Sequence, residues 1–298
     1  MWLKPSRVGV IAMHAFTQLV RMKVFYFLMV FAVVLIAVNF LDLPQFNGPE
    51  SMNLGELRIL KETCTGVMKL FAIVFAICAT ALLLPKDVED RTLYTILAKP
   101  VPRLDYLVGK LAGVLLLIFV SLFLMNLMMN GAVAWRSHLL VEEYLAYAAK
   151  AGWSEKEIAA YVAEIKQHGM TISLQSAVWV IFLQSALVGA TALLLSTFSS
   201  STLFTIIVSF LIFLIGHLQG DAAQFYRATS EGTTSAGLWF MKIVSLIFPD
   251  HQLFNVIEAS IQGQVIQLFA IIKLSALTLF YVVLNTILSW FVFSDKEF

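Results

Sequence analysis

Long apolar runs recur along this chain and restrict what it can fold into. They cover about Val24–Phe40, Met68–Leu84, Leu111–Ala134, Ala177–Leu195, Thr202–Leu218 and Leu274–Phe293. Each has about 17 residues or more, which lets an α-helix cross the hydrocarbon of a bilayer. Only helices satisfy the backbone of such single segments in lipid. The sequence therefore predicts an all-α integral membrane protein, with residues 1–298 forming one transmembrane domain of six transmembrane helices. A hydrophobic content of 60% with 13% charged residues excludes an ordinary globular domain.

The segment before the first run has an amphipathic pattern. Apolar residues from Val8 to Leu19 recur at helical spacing, and basic residues, including Arg21 and Lys23, flank them. This pattern predicts that residues 1–23 hold an amphipathic helix on the inner surface of a membrane. The alternative is that these residues simply begin the next span.

A charged stretch, Lys86–Lys110, separates the second and third runs. Asp87 or Asp90 can begin a short helix there, and Pro100 would end it. An apolar stripe on that helix would consist of Leu93, Ile96 and Leu97. We therefore predict that residues 85–106 form a cytoplasmic loop with a short docked helix that contacts something soluble. The alternative is a solvated basic loop that only fixes the topology.

The distribution of basic residues predicts the orientation. Lysine and arginine concentrate before residue 24, within 85–110 and at Lys296, whereas residues 41–67 contain only Arg58 and Lys61. Because basic residues resist translocation, both termini are expected in the cytoplasm.

Two segments on the outer side have helical patterns of their own. Residues 137–172 predict a helical hairpin, in which Leu139–Lys150 comes first and Gly152 breaks it. Ser154 and Glu157 have the spacing of a capping box for a second helix to about His168. Residues 238–261 are broken at Pro249-Asp250 and are too short to span, which predicts re-entrant or interfacial helices.

The sequence contains no GxxxxGK[ST], HExxH, GxSxG or CxxC motif. The pair His217 and Asp221, one helical turn apart, would suit a polar substrate or a cation, or merely an interfacial hydrogen bond. Methionines 125, 128 and 129 would suit a soft metal, but packing is the ordinary role of such clusters.

A net charge of +1 gives no reason to expect nucleic acid. We predict no catalytic residue, no metal site and no cofactor bound by this chain.

Mildly polar residues lie within the runs, where they would join helices or line a pathway. They are Thr80, Asn126, Asn130, Gln184, Ser185, Thr191, Asn285 and Thr286, with His217 and Asp221 at the end of the fifth run. An ion-coupled transporter would carry ionisable residues deep in its spans. The near absence of such residues indicates an energy source outside this chain.

The loop between the second and third runs resembles that of ABC-2 type transporter permeases, the membrane subunits of type V ABC exporters. The resemblance is carried by Thr92-Leu93, Leu97, Pro100-Val101, Arg103, Leu107 and Gly109-Lys110. Many members have glycine where this chain has Arg91. The stretches 196–201, 216–221 and 248–255 are also similar to the family. The resemblance covers the whole chain except 137–172, which looks like an insertion.

This resemblance implies a role for each segment. Residues 1–23 would be the elbow helix, Asp87–Leu97 the coupling helix on a cytosolic ABC ATPase, and 238–261 the outer re-entrant helices. Two permeases, as a homodimer or a mixed pair, would lie in the bacterial inner membrane. Two cytosolic ATPase chains beneath them would bind ATP and Mg. Polar contacts to the ATPase would come from Asp87, Glu89, Asp90, Arg91, Thr92, Tyr94 and Arg103, apolar ones from Leu93, Ile96 and Leu97, with Pro100 ending the helix.

Two other classes of function stay open at this point. A non-transporting scaffold would let an ATPase act mechanically on periplasmic or envelope proteins recruited by 137–172. A membrane-embedded transferase would need a polar constellation at one depth. Its candidates, His217, Asp221, Asp250 and His251, show no recognised spacing. The residues do not single out a transported cargo.

Overall fold

The computed structural model of the chain describes residues 4–38, 54–89, 101–167, 169, 171–199, 201–229, 239, 249–261 and 266–294. These residues form α-helices, with one short 3₁₀ helix at His251–Phe254. The α-helices are α1 (Pro5–Val20), α2 (Lys23–Ala37), α3 (Leu54–Glu89), α4 (Arg103–Ala151), α5 (Glu155–Gln167), α6 (Ile172–Phe198), α7 (Thr202–Thr229), α8 (Val256–Ile261) and α9 (Leu268–Ser294).

Five of these helices, α3, α4, α6, α7 and α9, are long and apolar enough to cross a membrane. Helices α1 and α2 together are also long and apolar enough to cross a membrane, but the chain bends by 69° between them. If this bent pair counts as one span, the described residues contain six candidate spans. This confirms the predicted all-α membrane fold. The first span differs from the prediction because α2 alone has only 15 residues, fewer than the roughly 20 that a span needs.

The long helices alternate in direction and define two ends of a bundle. We name the Asp87 end after the last turn of α3. The Glu56 end is marked by an ion pair in which Arg136 Nη2 of α4 lies 2.6 Å from Glu56 Oε2 of α3. Helix α6 is central, since 72% of its most apolar stretch is buried, compared with 17% for α9. Helices α7 and α9 therefore present most of their surface outward.

Helix α1 lies across the first turns of α4 at the Asp87 end. A Cβ added to Gly109 would lie 2.7 Å from Ile11 Cβ, and one added to Gly113 would lie 2.6 Å from the carbonyl oxygen of Ala12. Small residues one turn apart let two helices approach to backbone distance. The amphipathic α1 is thereby fixed to the bundle, while Val10 stays exposed.

The segment predicted as a loop at 85–106 is largely helical in its described parts. Helix α3 continues to Glu89 and α4 begins at Arg103. The prediction that Asp87 could begin a short helix is wrong. Asp87 lies in the last turn of α3 and pairs with side chains of α4. Residues 90–100, which contain the predicted docked helix, lie outside the described residues.

The predicted hairpin at 137–172 is partly correct. Helix α4 continues to Ala151 without a break, so the separate first helix at Leu139–Lys150 is wrong. No proline or glycine interrupts the helix-forming residues between Ala132 and Ala151.

The turn of this hairpin and its cap are as predicted. Gly152 ends α4 with a φ of 70°, a left-handed conformation that favours glycine. The capping box is present, since Glu157 Oε2 accepts a hydrogen bond from the Ser154 backbone N–H at 3.0 Å. Helix α5 then packs back on α4 through stacked rings of Tyr144 and Tyr161, 3.9 Å apart.

The second outer segment, 238–261, is described only at 239 and 249–261. Asp250 caps the 3₁₀ helix, because its Oδ1 accepts a hydrogen bond from the Gln252 N–H at 2.8 Å. Neither this helix nor α8 is long enough to span a bilayer. The predicted re-entrant path stays a prediction, because residues 240–248 lie outside the described residues.

Candidate functional site: a buried charged cluster at the Asp87 end

The last turn of α3 carries a carboxylate that is enclosed by the bundle. Asp87 is only 3% exposed. Its Oδ2 accepts a hydrogen bond from the Tyr106 hydroxyl at 2.5 Å and lies 2.6 Å from Lys110 Nζ. Tyr106 and Lys110 are also almost wholly buried. A buried carboxylate needs such partners, because desolvation of an unpaired charge costs several kcal/mol.

The two partners come from one face of α4. Tyr106 and Lys110 are four residues apart, so they point the same way along the helix. Lys110 Nζ lies 5.7 Å from the centre of the Tyr106 ring and donates a hydrogen bond to Gln18 Oε1 of α1 at 3.1 Å. One ammonium group therefore joins three helices, α1, α3 and α4.

A second cation at the start of α4 binds the end of α9. Arg103 Nη1 donates hydrogen bonds to the carbonyl oxygens of Phe293 at 2.7 Å and Ser294 at 2.6 Å. The last carbonyls of a helix have no partner within the helix and carry partial negative charge. The Tyr106 ring also stacks on Phe293, with ring centres 6.0 Å apart. Arg103 thus caps α9 and holds it against the same site.

We call this set of side chains the Asp87 cluster; it comprises Gln18, Asp87, Arg103, Tyr106 and Lys110. It joins α1, α3, α4 and α9 at one end of the bundle. It also fixes both chain ends from which residues 90–102 extend.

The structure distributes the predicted coupling residues unequally. Asp87 points into the bundle, and Arg103 binds the end of α9. Glu89 ends α3, and its side chain lies outside the described part. The remaining predicted contacts lie within 90–100, also outside the described residues: Asp90, Arg91, Thr92, Leu93, Tyr94, Ile96, Leu97 and Pro100.

The candidate pathway residues whose side chains the structure describes do not come together in one place. Thr80 and Gln184 are fully buried, and within the described structure the Thr80 hydroxyl and both polar atoms of the Gln184 amide find no hydrogen-bond partner. Asn285 Nδ2 donates to Thr191 Oγ1 at 3.2 Å, which joins α9 to α6. Asn126 and Asn130 belong to an amide network with Gln175 near the Glu56 end.

At the Glu56 end, the 3₁₀ helix packs against two glycines of α7. A Cβ on Gly216 would lie 2.7 Å from the Pro249 carbonyl oxygen, and one on Gly220 would overlap the Gln252 side chain. His251 is 3% exposed. Its burial lowers its pKa to about 4, and the nearby His217 and Lys69 add to this. The predicted partner of His217, Asp221, lies in α7, but its side chain is outside the described part.

Sequence reasoning missed Tyr106 and Lys110 as partners of Asp87, and Gln18 as a partner of Lys110. The sequence did contain one signal for this site: a tyrosine and a lysine four residues apart, on one helix face, at the start of an apolar run. It did not identify the carboxylate they would meet, because that contact joins two different helices. In the described residues, no three His, Cys, Asp or Glu side chains gather as they would around a metal ion.

The fold and the two bundle ends define a class: this chain is a multi-pass, all-α membrane protein. Searches against known protein families and against curated proteins find no match for it.

Proposed function

We propose that this chain is the permease subunit of an ATP-binding cassette transporter, an exporter of the bacterial inner membrane. The Asp87 cluster is the observation that carries the proposal. It ties both ends of segment 90–102 to α1 and α9 through a buried ion pair and four further hydrogen bonds. A coupling element needs such an attachment, because a push from an ATPase must move helices rather than bend a loop.

In this proposal the Asp87 end faces the cytoplasm, as do both termini. Residues 90–102 dock on a separate ATPase, which binds ATP and Mg and carries out hydrolysis. Closure of two ATPase chains then shifts α1, α3, α4 and α9 of each permease as one rigid body. Two copies of this chain, or this chain and a related permease, enclose the path.

The geometry divides the predicted coupling residues into two groups. Asp87 and Arg103 are positioning residues, because their side chains are engaged inside the bundle. Direct contacts to the ATPase are then left to Glu89 and to residues 90–97. We assign Thr80 and Gln184 to helix packing rather than to the path, since both are fully buried within this chain.

Photo-crosslinking from position 94 tests the proposal. A photoreactive amino acid at Tyr94 is expected to capture a protein with a P-loop motif, identified by mass spectrometry. The matched control is Tyr147, which is 62% exposed on the other side of the predicted membrane. Complexes purified with the chain should hydrolyse ATP in a Mg-dependent manner.

The variant D90A/R91A is expected to reduce the recovered ATPase while the amount of chain in the membrane stays constant. Normal recovery and coupling in that variant would refute the docking assignment. So would labelling of a cysteine at position 99 by a membrane-impermeant reagent added to intact cells.

One observation favours a second candidate, a scaffold that transmits force without transport. Helix α4 runs through 49 residues from the Asp87 cluster to Gly152, a length of about 73 Å. Hydrocarbon accounts for only about 30 Å of that length. A continuous rod of this kind would carry motion from the ATPase to partners bound outside the membrane by α5.

A helix break separates the two candidates. His138 is exposed on α4 beyond the Arg136–Glu56 ion pair, and H138P would kink the rod there. A scaffold would lose its action on envelope partners and keep ATP hydrolysis, whereas an exporter would keep both transport and hydrolysis. H138A, which leaves the helix intact, is the control.

A further inference from the structure

A groove between α4 and α6 opens on the outer surface of the bundle. Its volume is about 150 Å³, and aromatic rings form its walls: Phe119, Phe123, Trp179 and Phe182. Three of them are strongly exposed, Phe123 at 53%, Phe119 at 46% and Trp179 at 40%. Both helices are candidate spans. The opening therefore faces lipid rather than water.

Two amide side chains, Asn126 and Gln175, line one end of this groove, and a third, Asn130, is hydrogen-bonded to them. Asn126 Nδ2 donates to Gln175 Oε1 at 2.6 Å, and Gln175 Nε2 donates to Asn130 Oδ1 at 2.9 Å. Asn130 Nδ2 is 3.5 Å from Asn126 Oδ1, a long and weak contact. We call Asn126, Asn130 and Gln175 the amide triad. Each amide nitrogen carries two N–H groups and uses one within the triad, so each keeps one for another acceptor.

The polar and apolar parts of the groove are ordered along the membrane normal. Gln175 lies within the first turn of α6, and Arg136 with Glu56 marks the charged boundary beyond Asn130. From Asn126 to Phe119 the groove descends two turns of α4, about 10 Å toward the bundle centre. An amphiphile in the leaflet at the Glu56 end has the same order, with carbonyl groups near the boundary and hydrocarbon below them.

We propose that this groove binds a glycerolipid of that leaflet, with one acyl chain between the aromatic rings and an ester carbonyl on the amide triad. The residues that line it in the described structure include no charged side chain, which favours the uncharged ester region over a phosphate. A cavity of about 150 Å³ holds a benzene-sized group, and therefore a segment of one chain rather than a whole lipid. The site is independent of the proposed transport function.

Photolabelling in nanodiscs tests the site. The full chain is reconstituted with a phosphatidylcholine that carries a diazirine near the middle of one acyl chain. Labelled peptides are then mapped as the mole fraction of probe increases. Label on Phe119–Phe123 and Trp179–Phe182 is expected to saturate. Label at Phe280 of α9, which is 62% exposed, is expected to increase in proportion to the probe.

The variant N126L removes the amide N–H groups that Asn126 contributes to the triad. Loss of one hydrogen bond to the lipid ester, about 1 kcal/mol, should raise the mole fraction for half-saturation about fivefold. Label at Phe280 should not change. The variant Q175L is a second test with the same expected shift, in case N126L does not reach the membrane.

Two results would overturn the proposal. Groove label that rises in proportion to the probe, as at Phe280, would show ordinary lipid contact only. Groove peptides that stay unlabelled while Phe280 is labelled would show that protein, such as a second copy of this chain, covers the groove.

Discussion

The two ends of the bundle are held together by different kinds of contact. At the Asp87 end, charged and polar side chains join four helices through short contacts, such as the 2.6 Å between Lys110 Nζ and Asp87 Oδ2. At the Glu56 end, the 3₁₀ helix rests on Gly216 and Gly220 by close fit, and His251 Nδ1 has no hydrogen-bond partner in the described structure. Paired charges fix both distance and direction, whereas a close fit fixes only distance. The Glu56 end also has an ion pair, between Arg136 of α4 and Glu56 of α3, but the 3₁₀ helix is held on α7 by close fit, so this contact should separate at lower cost than the Asp87 cluster.

Breaking the ion pair gives the largest expected effect. K110M removes the ammonium group that lies 2.6 Å from the buried Asp87 carboxylate, which should cost about 4 kcal/mol in the free energy of unfolding. Thermal unfolding in detergent, followed as loss of monodisperse protein, measures the change. The double variant D87L/K110M should recover most of that loss, because both charges of the pair are replaced by apolar side chains. If K110M unfolds at the same temperature as the wild-type chain, the pair does not stabilise this end.

The pH dependence of unfolding examines the Glu56 end. The pKa of His251 is lowered from 6.5 to about 4 when the chain is folded, so between these values the unfolded chain binds a proton that the folded chain does not. Stability is present above pH 6.5 and should fall as the pH decreases toward 4, by up to about 3 kcal/mol. H251Q should remove this dependence, while H14Q, at an exposed histidine, should keep it. An unchanged slope in H251Q would contradict the assignment.

The glycine contact comes next in size. In G216A the new Cβ would meet the Pro249 backbone, which cannot move aside easily, so a loss of about 2 kcal/mol is expected. G220A meets only the flexible end of Gln252 and should cost less. G66A, where nothing lies within 4 Å of the added carbon, serves as the control and should be neutral or slightly stabilising. Equal losses in G216A and G220A would point to helix α7 itself rather than to its contact with Pro249, and an equal loss in G66A, which lies in α3, would point to a general effect of the added methyl group.

The smallest effect is expected in the hairpin beyond the Glu56 end. Hydrogen bonds from Ser154 lower the pKa of Glu157, so this cap should weaken as the pH falls below the usual value for glutamate. S154A should speed hydrogen exchange in the first turn of α5 without changing the melting temperature of the bundle. A shift in melting temperature would mean that the hairpin and the bundle unfold together.

The sequence predicted features that depend on neighbouring residues. The apolar runs predicted the membrane fold, and Gly152 and Ser154 with Glu157 predicted the turn and the cap of the hairpin. Helix ends were less accurate, because α3 and α4 continue past their apolar runs into polar sequence that is still a good helix former.

The Asp87 cluster was beyond sequence reasoning for a different reason. Asp87 is a residue type that often caps helices, and it lies where a cap was expected. Its actual partners lie on another helix. The pairing of Arg103 with the end of α9 spans 190 residues of sequence. No local pattern reports a contact of this range, so the Asp87 cluster became visible only in three dimensions.

The unbroken course of α4 has a consequence for the hairpin beyond it. A helix turns by about 100° per residue. The number of residues between Lys110 and Gly152 therefore sets the direction in which α5 projects from the axis of α4. One inserted alanine would swing the hairpin by more than a quarter turn without touching a single side chain of the Asp87 cluster. Seven inserted residues would nearly restore the direction of the hairpin and would only move it about 10 Å further along the axis of α4.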